Sequence, residues 1–334
     1  MNKKTVALLH RLVDEKIVPG VSYAMIHNGQ VVTEVFGESQ LVPKEKELCP
    51  GMLYDLASLT KVIGTTTVIL KLVEENKLKV DDPVYLYLPK FHDKQVTLRH
   101  LLTHTSALSG YIKDRDSLPK EELIDALYTL KPAPWLGKKV VYADIGLILL
   151  GQIIEVFYQK PVQDVIETEV LRPLGMKTAT FKPQKQDCVP TELNKKRGLI
   201  QGEVHDPKAF VLGENCGSAG LFASLDDLIT FSKWMLGQIK NEQVLHEKTI
   251  TKLFSDQTPT RKLKRSLGWD LRSDEENTPC LYHTGFTGTF MLLDKKGQNA
   301  LIVLTNRIHP SADNEPFLCW RDRIIETYLT EKDD

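Results

Sequence analysis

The sequence predicts an α/β (α+β) protein built on one antiparallel sheet, and three observations carry that prediction. Two β-rich runs near the start are joined by Asn28-Gly29, a dipeptide that favours two-residue hairpins because both positions adopt positive φ. Short apolar runs separated by turn residues return only after residue 266. Between these two regions, residues 60–260 carry their apolar residues mainly at helical spacing. A sheet assembled from both chain termini, flanked by helices and with a mainly helical region inserted in the middle, satisfies all three. The expected division is residues 1–59 with 261–334 for the sheet region and 60–260 for the helical region, the whole of 1–334 acting as one unit.

Taken in order, Leu8, Leu9, Leu12, Val13 and Ile17 fall at helical spacing within residues 1–17, interrupted by His10, Arg11, Asp14 and Glu15. That pattern is an amphipathic surface helix, not the continuous apolar core of a signal peptide. Strands are expected at 21–27 and 31–37, followed by an irregular stretch to residue 52. Helices are expected at 60–76, 98–104, 120–130, 144–159, 162–170, 225–238 and 247–254, the sixth opened by a capping box of Ser224 and Asp227. Strands follow at 266–271, 281–283, 289–294 and 300–305, and an amphipathic helix at 316–329 closes the chain.

The 334 residues suffice to bury a sizeable core, with 42% hydrophobic and 26% charged residues. A formal net charge of −1 argues against a nucleic-acid partner and against attraction to an anionic membrane. No stretch has the length of uninterrupted apolar residues that a membrane span needs. Five scattered cysteines without a Cys-x-x-Cys pair predict reduced thiols in the cytoplasm rather than a disulfide framework or a zinc site. An extracytoplasmic protein whose leader had been removed would present the same pattern. The expected partner is a small-molecule or peptide substrate, and oligomeric state is not readable from the sequence.

The stretch that carries chemistry is Ser58-Leu59-Thr60-Lys61. On a helix, residues three apart share a face, which brings the Lys61 nitrogen within reach of the Ser58 hydroxyl. A serine hydroxyl is a weak nucleophile until a neighbouring base activates it. Lysine, with a reference pKa near ~10.4, serves as that base only when desolvated or placed beside other cations. The apolar run Val68, Ile69, Leu70, Leu72 and Val73 offers the means to bury this helix. A second Ser-x-x-Lys, Ser117 to Lys120, lies among charged residues with Pro119 at a helix start, and reads as an exposed cap.

Tyr142-Ala143-Asp144 precedes an apolar helix, and His283-Thr284-Gly285 ends a short strand followed by Phe286. Ser-x-x-Lys, then Tyr-x-Asn, then Lys/His-Thr-Gly, in this order and at comparable gaps, is the signature of the serine β-lactamase-like and penicillin-binding-protein family. The sequence resembles that family, which includes class C β-lactamases, D-Ala-D-Ala carboxypeptidases and related esterases, over nearly its full length. Residues 98–106, 171–176, 217–222 and 267–269 and the Val204-His205-Asp206 segment also look like family stretches. The resemblance implies a serine hydrolase in which Ser58 forms an acyl-enzyme, Lys61 shares its proton and Tyr142 relays a proton to the leaving group. It implies backbone N–H groups of Ser58 and Phe286 as the oxyanion hole and the strand His283, Thr284, Gly285 as the edge that aligns substrate. No metal or organic cofactor is implied.

Two positions depart from the family pattern. Asp144 stands where Asn is most frequent, and an ionised carboxylate only accepts hydrogen bonds. It would hold Lys61 protonated and shift the base role to Tyr142, or it would cap the following helix; the sequence leaves both open. His283 stands where many members carry lysine, and histidine is largely uncharged near neutral pH. One cation fewer and one anion more weaken attraction for the carboxylate of β-lactams and D-Ala-D-Ala termini. The expected activity is therefore that of an esterase or D-Ala carboxypeptidase-like amide hydrolase, weak on β-lactams. A class C-like β-lactamase and a non-catalytic penicillin-binding or regulatory member are the alternatives.

Other candidates have blander readings. His100 and His104 stand four apart but lack the Glu of His-Glu-x-x-His and read as structural. His205 and Asp206 border the expected site, as substrate contacts or as loop anchors. Cys216 reads as a buried thiol, and the basic run 261–265 as a solvated loop.

Overall fold

The computed structural model describes residues 2–108, 112 and 118–331. After helix α1 (Lys3–Asp14), β1 (Gly20–His27) and β2 (Gln30–Gln40) form the expected hairpin, with Asn28 at φ 47° and Gly29 at φ 86° in the turn. β3 (Lys46–Glu47) pairs with the far end of β2, where a bulge shifts the register between Glu38 and Gln40. Near the other terminus lie β8 (Asp270–Ser273), β9 (Pro279–Thr284), β10 (Phe290–Asp294) and β11 (Asn299–Thr305). The sheet order is β3-β2-β1-β11-β10-β9-β8, and every pairing is antiparallel. The β1–β11 seam joins the two chain ends, as the pattern of early and late strands predicts.

Side chains alternate between the faces of this sheet with the period of two that a strand imposes. Tyr23, Met25, Leu301, Val303, Phe290 and Leu292 pack on one face against Leu9 and Leu12 of α1 and Ile324 of α11 (Pro316–Thr330). Ala24, Ile26, Ile302, Leu304, Met291, Leu293 and Leu281 face the larger core shared with the helical region. His283, two residues after Leu281, falls on this second face and is thereby directed toward the helices. Leu→Ala at a fully buried sheet position such as Leu292 would cost about 2–5 kcal/mol.

The helical region follows the predicted periodicities with trimmed ends. It contains α2 (Thr66–Glu74), α3 (Leu98–Leu102), α4 (Lys120–Tyr128), α5 (Ile145–Tyr158), α6 (Val162–Ile166), α7 (Arg172–Leu174), α8 (Pro207–Leu212), α9 (Leu225–Leu236) and α10 (Glu247–Leu253). The Ser224–Asp227 capping box is present at the start of α9. The segment expected as one helix over 60–76 is helical without a break from Leu59 to Glu74, with a π-helical turn at Lys61–Thr65, a local widening found often at functional sites. Small pairs β4 (Tyr54–Asp55) with β7 (Phe222–Ala223), and β5 (Leu193–Asn194) with β6 (Gly198–Leu199), carry too few residues to show a period.

One expected strand is displaced. Residues 266–269 form a turn and pairing begins at Asp270, because Gly268 adopts φ 78° and sends its N–H to the Leu102 carbonyl at 2.8 Å. A Cβ there would lie 2.5 Å from Thr66 Oγ1, so only glycine lets this turn tuck against α2. The second Ser-x-x-Lys begins at Ser117, outside the described residues. No single helix among the described residues is long and apolar enough to cross a membrane.

Candidate active site

Ser58 sits on a turn directly after β4, partly exposed between buried Ala57 and Leu59. Ala57 is held at φ 45°, a left-handed conformation that costs a residue with a Cβ about 1–2 kcal/mol. The Asp55 carboxylate restrains it by accepting the Ala57 N–H at 2.9 Å. Lys61 is 1% exposed, and its ammonium lies 2.6 Å from Ser58 Oγ, 2.8 Å from the Ser218 carbonyl and 2.8 Å from Asp144 Oδ1.

The Tyr142 loop is pinned from behind by His104. His104 O accepts the Val141 N–H at 2.9 Å and His104 Nδ1 accepts the Ala143 N–H at 3.2 Å. The rings of His104 and Tyr142 stack with centroids 4.5 Å apart, while Tyr142 keeps 47% of its surface exposed. Lys61 Nζ lies 5.4 Å and Arg265 Cζ 5.7 Å from the Tyr142 ring centroid. Burial first, then the nearby Arg265 and His283, hold His104 well below the ordinary histidine pKa, so it is a neutral acceptor at Nδ1. His100 caps α3 through Thr97.

Asp144 occupies the N-cap position of α5, yet its side chain caps no backbone N–H. Its oxygens are taken by Lys61 at 2.8 Å and by Lys208 at 3.0 Å, and Lys208 also reaches Asp206 at 3.3 Å. Of the two readings left open for Asp144, the geometry is that of the ion pair. Burial alone would push the Lys61 ammonium toward its neutral form; Tyr142 and Asp144 outweigh it and hold the lysine above its ordinary range. Burial likewise opposes charge on Asp144, but Lys61 and Lys208 hold that carboxyl well below the usual range. Lysine therefore donates to Ser58 Oγ in the resting site.

His283 is only 3% exposed, its Nδ1 within 3.0 Å of the Thr284 carbonyl and its Nε2 without a partner among the described residues. Burial, then Arg265 and Lys61, hold it well below the ordinary histidine pKa. Its ring is buried edge-on to Trp269, with centroids 6.3 Å apart; the substrate alignment expected of His283, Thr284 and Gly285 is a main-chain role that does not need the ring exposed. Thr284 is partly exposed, and β8 stops pairing with β9 at Tyr282, so among the described residues no strand covers the edge beyond it. Gly285 sends its N–H toward β10, to Thr289 O at 2.7 Å. By the alternation of backbone groups along a strand, those of Thr284 face the uncovered edge.

Phe286 is 52% exposed, and its carbonyl accepts Arg307 Nε at 2.9 Å. Among the described residues neither the Phe286 nor the Ser58 backbone N–H has a partner. His205 stacks on the Phe286 ring at 5.6 Å, while its Nε2 meets Glu192 at 3.0 Å and its N–H is accepted by Asp55 at 2.8 Å. Asp206 caps α8 by accepting the Ala209 N–H. His205 and Asp206 are thus anchored loop residues. Cys216 is buried beside Ser218, and burial pushes its thiol up.

Sequence reading missed Lys208, Arg265, Asp55 and Arg307. Arg265, expected in a solvated loop, is 6% exposed; its Nε is unpartnered among the described residues and its contact with Asp270 is a loose 3.9 Å. It supplies a cation beside His283, which revises the expected loss of positive charge there. Only its place at the end of a basic run next to an apolar stretch hinted at burial.

A family profile described as Beta-lactamase matches residues 6–317. A putative D-alanyl-D-alanine carboxypeptidase of Escherichia coli (strain K12) is 30% identical over 353 aligned positions, covering 88% of this chain and 80% of that protein. Among solved structures, a class C beta-lactamase superposes with a TM-score of 0.78 at 20% identity, covering 100% of this chain and 97% of that one. EstCE1, a hydrolase with promiscuous acyltransferase activity, superposes with a TM-score of 0.75 at 20% identity, covering 96% and 97%. The two structural likenesses establish the fold. The chain belongs to the beta-lactamase family and is a serine hydrolase of that fold.

Proposed function

We propose that Ser58 is the nucleophile of an acyl-enzyme mechanism on esters or amides, with D-Ala carboxypeptidase-like peptides as the substrate class. The observation that carries this reading is the buried Lys61 ammonium, 2.6 Å from Ser58 Oγ and fixed by Asp144. An ammonium held in this way orients Ser58 by donating to it, and as Oγ attacks the carbonyl the serine proton passes to the Tyr142 oxygen while Tyr142 yields its own proton toward the leaving group. The acyl–leaving-group bond breaks with that relayed proton on the leaving group, and in deacylation water gives its proton to Tyr142 as Tyr142 returns one to Ser58. The Ser58 and Phe286 N–H groups, without partners among the described residues, serve as oxyanion donors.

The 30% identity to a protein named as a putative D-alanyl-D-alanine carboxypeptidase supports the peptide class. Arg265 supports it too, since a cation beside the third motif favours a substrate with a carboxylate near the scissile bond. The expectation of weak β-lactam turnover rested on one cation fewer and one anion more; Arg265 weakens the first ground, while Asp144 stands in the site as the added anion. Intact mass after incubation with a fluorophosphonate, and separately with penicillin, tests the reading. A phosphonyl adduct lost in Ser58→Ala is expected, and absence of any adduct would overturn it. Nitrocefin turnover at ~10²–10³ s⁻¹ would make β-lactams the substrate class instead.

A further inference from the structure

We propose that Asp55 is a positioning residue for the oxyanion hole, its carboxylate holding the Ser58 turn and the loop stacked on Phe286 in one frame. The inference rests on the reading of Ser58 and Phe286 as oxyanion donors. Asp55 is 2% exposed, and each carboxylate oxygen accepts one backbone N–H from a different segment: Oδ1 from Ala57 at 2.9 Å and Oδ2 from His205 at 2.8 Å. The first bond holds the residue before Ser58 in its left-handed conformation, φ 45°, which sets the direction of the next N–H.

The second bond fixes His205, whose ring lies on that of Phe286 with an interplanar angle of 20°. A third link runs from the main chain, because Thr287 Oγ1 donates to the Asp55 carbonyl at 2.7 Å and so ties the turn after Phe286 to the same residue. Arg307 holds the Phe286 carbonyl from the other side. Both donors of the hole are thus referenced to one buried side chain that touches neither substrate nor nucleophile. Oxyanion donors act through preorganisation, and a misplacement of one ångström costs about 10²-fold in rate.

Asparagine at this position keeps the shape but offers only one oxygen; its NH₂ group would face one of the two N–H donors. For Asp55→Asn, we expect kcat for p-nitrophenyl acetate, per active site titrated with fluorophosphonate, to fall about 10–100-fold, with KM within about twofold. The rate of Ser58 phosphonylation should fall in parallel, because the phosphonyl oxygen uses the same donors. A folded Asp55→Asn protein with wild-type kcat, or one in which only KM changes, would overturn the inference and leave the reading of the site intact.

If Asp55→Asn does not fold, Thr287→Val removes the hydroxyl that reaches the Asp55 carbonyl and keeps the side-chain shape. A smaller fall in kcat at unchanged KM supports the inference there, and wild-type kcat overturns it. A wild-type protein that neither hydrolyses the ester nor takes phosphonate on Ser58 would defeat the reading of the site and this inference with it.

Discussion

Two walls meet at Ser58, and they treat charge in opposite ways. On the helical wall each charge has a partner: Lys61 with Asp144, Asp144 with Lys208, and Lys208 with Asp206, all within 3.3 Å. On the sheet wall the charges are cations with little to balance them. Arg265 stands 3.9 Å from its nearest carboxylate, Arg307 spends its guanidinium on two carbonyls, and His283 is held neutral. A paired array in a buried setting fixes which group holds which proton. An unbalanced one leaves positive potential for whatever negative charge the substrate brings or develops. The difference separates proton handling from recognition, and each variant below presses on one wall.

The largest effect belongs to the residue between them. Ser58→Ala should lower ester hydrolysis by about 10⁴-fold or more, with the fold retained by circular dichroism. Next is the helical wall. Asp144→Asn leaves Lys61 and Lys208 facing a group that cannot neutralise them, and urea melts at pH 7 should show a loss of about 3–5 kcal/mol. The sign follows from the two shifts. A depressed Asp144 contributes stability that is present above its unfolded pKa and lost as pH falls through the folded one. A raised Lys61 contributes stability that is present below its unfolded pKa and lost as pH rises through the folded one. The wild-type advantage should hold between about pH 5 and 9. The alkaline limb of kcat should move to lower pH in the variant, because Lys61 then loses its proton more easily.

The sheet wall should respond in binding rather than in proton chemistry. Arg265→Met is expected to lower kcat/KM for a carboxylate-bearing D-Ala peptide about tenfold and to leave p-nitrophenyl acetate nearly unchanged. An equal loss on both substrates would erase the distinction between the walls. The smallest effect expected is that of Arg307→Lys, which retains the charge but not the planar fork. A fall in kcat of about three- to tenfold, without a change in the pH profile, would match a role in holding the Phe286 carbonyl.

The elements that sequence periodicity foretold are those long enough to have a period: the hairpin at Asn28-Gly29, the late strands and the helices of the middle region. The two-residue pairing of β4 with β7, which carries the Ser58 turn, has none to show. Residues 266–269 look like a strand by composition, but Gly268 turns the chain under contact with Thr66, a constraint visible only in three dimensions. In the site, Ser58, Lys61, Tyr142 and the third motif were legible because local order keeps them recognisable. Lys208 and Arg265 were not, since a buried cation and a solvated one are the same letter. Asp144 could be flagged as unusual, but the choice between capping α5 and pairing with lysine depended on partners far away along the chain.

The central claim is that Lys61 rests as an ammonium held by Asp144, leaving Tyr142 to take the serine proton. The most direct test is the ¹⁵N resonance of Lys61 Nζ, assigned by its loss in Lys61→Arg and followed from pH 6 to 10 in the folded protein. We predict an ammonium signal throughout that range, shifting to the amine within it only in Asp144→Asn. A neutral Lys61 amine near pH 7 in the unaltered protein would contradict the account and return the role of base to lysine.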